Sequence, residues 1–334
     1  MSRRILVMRS GALGDFILGL PALRALREAF PDHQLEVVGP GALLPLASSL
    51  VDLSTPIERA EMAAFFGETE LPREMAERYA GLDLAVLWLA DREGLVRGHF
   101  GRLGTRQILH APALPPADQR IHATDYLLET LRPLGILPSR VAVKGDPVGL
   151  RGDPDSTERR AVPSVRPDPA AVNEARSLFG RLGLALEKPV VAIHPGSGGR
   201  WKCWPAERFA RVADLLADVG HQVVLVQGPA DEEVVGQVLA AVEGEPLPVI
   251  SDLSTEDLVA VLSICTVYLG NDSGVTHLAA ATGVPTVALF GPTDPAIWGP
   301  RGRAVAIVRG DQGLLEAITV ERAVKTVMRS LRAG

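Results

Sequence analysis

Three short stretches of this chain carry residues whose types and spacing could do chemistry. In the first, Asn271-Asp272-Ser273-Gly274 separates two strand-sized apolar runs, 267–269 and 286–290, and opens a helix over 275–282 that Gly283-Val284-Pro285 stops. A buried parallel strand, a small-residue turn and a helix N-terminus together form an anion site, because first-turn N–H groups lack partners and the helix dipole adds positive potential. Ser273 and Gly274 let a phosphate approach the backbone, and His277 lies one turn into the helix. The same residues also read as a plain helix cap, with Asp272 or Ser273 as the capping side chain. The second stretch is Gly196-Ser197-Gly198-Gly199 followed by Lys202, where backbone N–H groups and a point charge can meet a phosphate. It is not a P-loop, since GxxxxGK[ST] is absent. The third is Asp15, beside Gly11 and Gly14 at the carboxyl edge of a first strand, where open α/β sheets bind ligands. A first-turn acid favoured by the helix dipole is the alternative there. Two phosphate-type turns at adjacent strand ends suggest a diphosphate, with Asp15 reaching it from another domain.

The elements that must position these residues are strands and helices in alternation. Residues 4–8 form a buried strand, 9–15 a turn, 16–30 a helix and 34–38 the next strand, a βαβ unit that requires a parallel sheet. Residues 82–89 are another buried strand and 122–134 a helix. Between them 91–121 is basic, with Arg92, Arg97, Arg102, Arg106 and Arg120; it reads either as a surface for substrate phosphates or carboxylates, or as a solvated helix and loop. Residues 144–168 crowd Asp, Pro, Arg and Gly without apolar periodicity and read as a linker. A helix over 169–183 precedes a second βαβ series: strands 190–194, 222–227, 248–250, 267–269, 286–290 and 305–308, with helices 206–219, 231–242, 255–264, 275–282 and 320–331. The outcome is α/β, two doubly wound domains facing each other, 1–165 and 166–334, with the last helix able to pack back on the first domain. GxGxxG is absent throughout.

Composition narrows the function classes. With 334 residues, 47% of them hydrophobic, the chain can bury two ordinary cores. A net charge of −6 argues against a nucleic-acid partner. Two cysteines, Cys203 and Cys265, far apart, suit a reducing cytosol and supply neither a disulfide framework nor a metal quartet. The apolar run at the N-terminus is shorter than a signal peptide or membrane span requires.

Ser10-Gly11-Ala12-Leu13-Gly14-Asp15, Lys202-Cys203-Trp204-Pro205, Gly270-Asn271-Asp272-Ser273-Gly274-Val275-Thr276-His277 and Phe290-Gly291-Pro292-Thr293-Asp294-Pro295 resemble glycosyltransferase family 9, the ADP-heptose:lipopolysaccharide heptosyltransferases and their relatives. Arg120-Ile121-His122-Ala123-Thr124-Asp125-Tyr126-Leu127 looks like the family's helix before the linker. The resemblance runs in the family's order from residue 4 to about residue 330. It implies a GT-B fold, inverting sugar transfer, and no metal or other cofactor. It makes Asp15 the catalytic base and Lys202 the phosphate-contacting lysine, with Asp272, Ser273, Gly274 and His277 in the nucleotide-sugar site. Ser197 and Gly198 join that site through their turn, and Arg9, Arg92, Arg97 and Arg120 are assigned to the acceptor. Without a metal, Lys202, Arg9 and the helix N-terminus are left to stabilise the departing charge. The implied partners are a nucleotide sugar, ADP-heptose by the resemblance, and a lipid-linked or core oligosaccharide acceptor, met in the cytoplasm with peripheral contact to the inner membrane.

Two segments depart from the family pattern: Trp88-Leu89-Ala90-Asp91-Arg92-Glu93-Gly94 replaces a polar turn with a following Lys, and Gly-Ser-Gly-Gly replaces a hydroxyl pair. Both lie where substrate contacts are expected. The competing readings are a GT-B-like nucleotide-sugar epimerase or hydrolase, and a catalytically silent sugar-nucleotide binding protein.

Overall fold

The computed structural model describes residues 3–137 and 161–333. They divide into two compact units, 3–137 with Ala161, and 162–333. Most of the stretch read as a linker lies outside the described residues.

The first unit runs β1 (Arg4–Arg9), α1 (Leu13–Ala29), β2 (Gln34–Gly39), β3 (Leu53–Pro56), α2 (Arg73–Tyr79), β4 (Leu84–Trp88), α3 (Leu95–Arg102), β5 (Gln107–Ala111) and α4 (Ala123–Glu129). Its five strands pair in the order β3-β2-β1-β4-β5, all parallel. β1 and β4 are buried on both faces, as parallel strands under helices must be, which is why both read as unbroken apolar runs. On one face Leu6, Met8, Val38, Ala85 and Leu87 pack against Phe65, Tyr79 and Phe100. Phe65 and Phe100 stack with centroids 4.9 Å apart.

Two strands escaped the sequence pattern. β3 is four residues long and half exposed. β5 lies inside the basic stretch read as helix and loop. There Arg106 donates to Asp83 Oδ1 at 2.9 Å, so it joins the starts of β5 and β4. Both are edge strands, and burial on one face leaves too few apolar residues for a signal.

The second unit runs α5 (Pro169–Arg181), β6 (Val190–His194), α6 (Ala206–Asp218), β7 (Gln222–Val226), α7 (Glu232–Ala241), β8 (Val249–Ile250), α8 (Thr255–Ile264), β9 (Val267–Asn271), α9 (Gly274–Thr282), β10 (Thr286–Phe290), α10 (Pro295–Trp298), β11 (Val305–Arg309) and α11 (Val320–Ala333). Its sheet is six-stranded and parallel, in the order β11-β10-β9-β6-β7-β8. This is the doubly wound order in which chain direction across the sheet reverses between the first and fourth strands, here β6 and β9. A crevice opens at the carboxyl ends of such a pair, and the turns after β6 and β9 both leave from it. α11 packs against α6, β9, β10 and β11 of its own unit. Its apolar side joins the core of Val191, Ile193, Phe209, Val212, Leu225, Leu269 and Leu289.

Candidate active site

In the second unit the register sets the site. His194 closes β6 directly opposite Gly270 of β9, so Pro195-Gly196-Ser197 and Asp272-Ser273-Gly274 emerge side by side. Polar contacts then join them. Ser197 Oγ donates to the Asp272 carbonyl at 2.7 Å. Asn271, wholly buried, donates from Nδ2 to the Pro195 carbonyl at 2.7 Å and accepts the Trp204 N–H on Oδ1 at 3.0 Å. One amide therefore fastens the glycine turn and the Lys-Cys-Trp-Pro turn to β9. Lys202 Nζ lies 3.0 Å from Asp272 Oδ2, and Thr293 Oγ1 donates to the same oxygen at 2.8 Å. The ammonium is 27% exposed and the carboxylate 8%, so an anion arriving at Lys202 competes with Asp272 for it.

Ser273 is the N-cap of α9, its Oγ accepting the Thr276 N–H at 3.3 Å. The capping and anion-site readings are therefore compatible, since the cap takes only one of the first-turn N–H groups. Gly274 opens the helix, Gly198 is exposed at the tip of its turn, and His277 is buried one turn in. Trp201 is 63% exposed, with Lys202 Nζ 5.2 Å from its ring centroid. The two cysteines offer no thiolate: burial pushes Cys265 up to about 12, and raises Cys203 as well.

Four groups here escaped the sequence reading. Asn271 and Thr293 stand inside quoted motifs, yet nothing marks a buried staple from its neighbours. His194 ends an apolar strand and Asp231 precedes α7 (Glu232–Ala241); they hydrogen bond through His194 Nε2 and Asp231 Oδ2 at 2.9 Å. Only a polar residue at the last position of a buried strand could have signalled His194.

In the first unit α1 starts three residues earlier than expected, which puts Asp15 in its first turn. Asp15 Oδ2 accepts the Ala12 N–H at 3.1 Å, closing the turn as half a capping box. Gly11 sits at φ +129°, and a Cβ there would come 3.2 Å from that same oxygen, so the turn admits only glycine comfortably.

Arg9 differs from its expected role. Its side chain is buried under α1, 1% exposed, with the guanidinium 6.0 Å from the Trp88 ring centroid and Nη2 donating to the Asp15 carbonyl. Nε and Nη1 have no hydrogen-bond partner. A Cβ on Gly19 would lie 2.6 Å from Nη1, so that glycine makes the space. Burial pulls the group down to about 10, with Asp15 opposing the shift, and it stays protonated at neutral pH. Arg9 therefore has no surface for an acceptor or a departing phosphate; it braces the turn that carries Asp15.

The other acceptor candidates lie outside. Arg92 and Arg120 are exposed. Arg97 is exposed too, with Nε 3.4 Å from Asp91 Oδ2. Asp91 is buried and accepts the Val96 and Arg97 N–H groups at 3.1 Å each, so the atypical segment after β4 serves to start α3. Arg102 donates to His99 Nδ1 at 2.9 Å.

Two parallel-sheet Rossmann-type units are the architecture of the GT-B class of glycosyltransferase. Glycosyltransferase family 9 (heptosyltransferase) matches residues 158–325, and the chain belongs to that family. Lipopolysaccharide heptosyltransferase 2 of Escherichia coli K12 is 25% identical over 335 residues, covering 92% of this chain and 88% of that protein. Among solved structures, a family 9 glycosyl transferase from Veillonella parvula DSM 2008 superposes with a TM-score of 0.80 at 23% identity, covering 100% of this chain and 99% of that one. E. coli ADP-heptose lps heptosyltransferase II gives 0.73 at 23% identity, with 99% of each chain covered.

Proposed function

We propose that the chain transfers heptose with inversion from ADP-heptose to a lipopolysaccharide core or related glycan. The observation that supports this most is Lys202 held at the N-terminus of α9 beside the glycine turn. The substrates follow from the names of the E. coli relatives above. Asp15 removes the proton from an acceptor hydroxyl. That oxygen forms a bond to the anomeric carbon as the carbon–oxygen bond to the diphosphate breaks, and ADP leaves with the electron pair. Lys202 and the first-turn N–H groups of α9 take up the charge that develops on the diphosphate. The acceptor's lipid end places the reaction at the cytoplasmic face of the inner membrane; among the described residues no helix is long and apolar enough to cross one.

The test is release of nucleoside diphosphate from a panel of nucleotide sugars, with and without core acceptor. Acceptor-dependent release of ADP from ADP-heptose is the expected result; acceptor-independent release indicates a hydrolase, and binding without release a silent binder. The same assay in EDTA should run undiminished, because among the described residues no strand end carries an Asp-x-Asp pair, and a lysine with a helix terminus is available for the phosphates. Loss in chelator, restored by Mg²⁺ or Mn²⁺, overturns the metal-independent reading.

The acceptor surface is assigned to Arg92, Arg97 and Arg120. Arg102 and Arg106 are hydrogen bonded to His99 and Asp83, whereas Arg97 is only loosely paired with Asp91 at 3.4 Å, so Arg92 and Arg97 are the informative pair. Changing both to Ala should raise the acceptor KM several-fold, in line with about 1 kcal/mol for each exposed charge contact, and leave the donor KM alone. A rise in the donor KM, or no change in either, removes the assignment.

A further inference from the structure

His194 and Asp231 are ionisable, 2% and 7% exposed, and have no part in the transfer just described. Asp231 Oδ2 accepts from His194 Nε2 at 2.9 Å and from the Gly228 N–H at 2.8 Å. Burial pushes the Asp231 carboxyl upward, but the histidine and that N–H together hold it below the usual range. With Asp231 ionised, the His194 proton sits on Nε2 and Nδ1 presents a lone pair. Nδ1 faces Ser273 Oγ at 3.4 Å.

The protons beyond it can be followed. Thr276 donates its hydroxyl proton to the Asn271 carbonyl, so Tyr268, 3.0 Å away, supplies its own to Thr276 Oγ1. The Ser273 proton then has three acceptors in reach, Thr276 Oγ1 at 3.1 Å, the Tyr268 hydroxyl and His194 Nδ1, of which only His194 has no proton of its own on the facing atom. Donation to His194 leaves both Ser273 lone pairs for the N–H groups of α9. The glycine turn is itself shaped around this carboxylate: a Cβ on Gly196 would come 1.9 Å from Asp231 Oδ1.

We propose that Asp231 and His194 are positioning residues for the diphosphate terminus, an Asp–His–Ser relay that orients the Ser273 hydroxyl and, through it, the first turn of α9. The proposal rests on the donor-site reading above. The relay joins the turns after β6, β7 and β9, and its 3.4 Å link has room to shorten when the terminus takes an anion.

The experiment is ADP calorimetry on the full chain with Asp231→Asn, Ser273→Ala and the double substitution, together with ¹⁵N spectra of the histidine rings. Asn keeps the carboxylate's shape, but its amide can donate to Nε2 and drive the proton to Nδ1, which then competes with Thr276 for Ser273 Oγ. Loss of one hydrogen bond's worth of orientation should weaken ADP binding about tenfold. The donor KM rises with it, the acceptor KM stays, and His194 changes from the Nε2–H to the Nδ1–H tautomer. In the double variant the Asp231→Asn effect disappears, since it acts through Ser273. Should Asp231→Asn fail to fold, His194→Gln keeps an N–H toward Asp231, offers Ser273 no acceptor, and carries the same expectation. Additive losses, a wild-type Nδ1–H tautomer, or unchanged ADP affinity in the variants overturns the relay alone. If the wild-type protein binds none of ADP, GDP and UDP, the donor-site reading fails and the relay's role falls with it.

Discussion

Asp15→Asn should lower turnover by about 10²–10⁴-fold, the ordinary contribution of a general base, and leave ADP affinity close to that of the wild type. The geometry makes the substitution clean. Asp15 Oδ2 already accepts the Ala12 N–H, and an asparagine oxygen can do the same, so the turn and the start of α1 persist. What disappears is the charge on the remaining oxygen, which alone can take a proton from an acceptor hydroxyl. The measurement is single-turnover kinetics with saturating donor beside ADP calorimetry. Wild-type turnover would return Asp15 to the role of a first-turn acid, the other reading its position allows.

Lys202→Ala should weaken ADP binding and reduce kcat together, kcat by about 10²–10³-fold, because the ammonium's charge matters most as the diphosphate departs. It should also lower stability in the absence of any ligand. Asp272, 6% exposed, would keep Thr293 but lose its cation, and a buried carboxylate short of a partner costs about 1–3 kcal/mol. Calorimetric unfolding checks that loss, with Lys202→Ala melting lower than wild type. Unchanged affinity and unchanged turnover would leave Lys202 as a structural partner of Asp272.

The parts of this molecule that read most plainly are those where one physical requirement dominates. β6 and β10 fall on the residues the apolar pattern assigns, because a parallel strand covered on both faces is built mainly of apolar side chains. The edge strands β3 and β5 are hidden by the same logic, being only half covered. The meeting of the glycine turn, Lys202 and the start of α9 was legible through local features, the glycines, the lysine and the helix start. Its fastening was not, since Asn271 and Thr293 act on residues distant in the chain. Arg9 shows the limit most clearly. Its place before a glycine turn suggests a ligand contact, while its burial depends on Gly19, a small residue in the middle of a helix that propensity alone would count as a weakness.

The parallel pairing of β6 with β9 bears on how the protein comes to exist at all. Ser273 and His194, which meet at that seam, are 79 residues apart in the chain. No hairpin can bring them together; three intervening helices and two strands must first be accommodated, and the entropy of closing so long a loop is lost before any contact across the seam compensates it. That seam is therefore costly to close on a newly made chain, and until it closes β6 and β9 each lack a neighbour along one edge. On the proposed donor site, nucleotide meets only the finished seam, so by mass action it would act as a folding ligand as well as a substrate, drawing the population toward the paired state as its concentration rises.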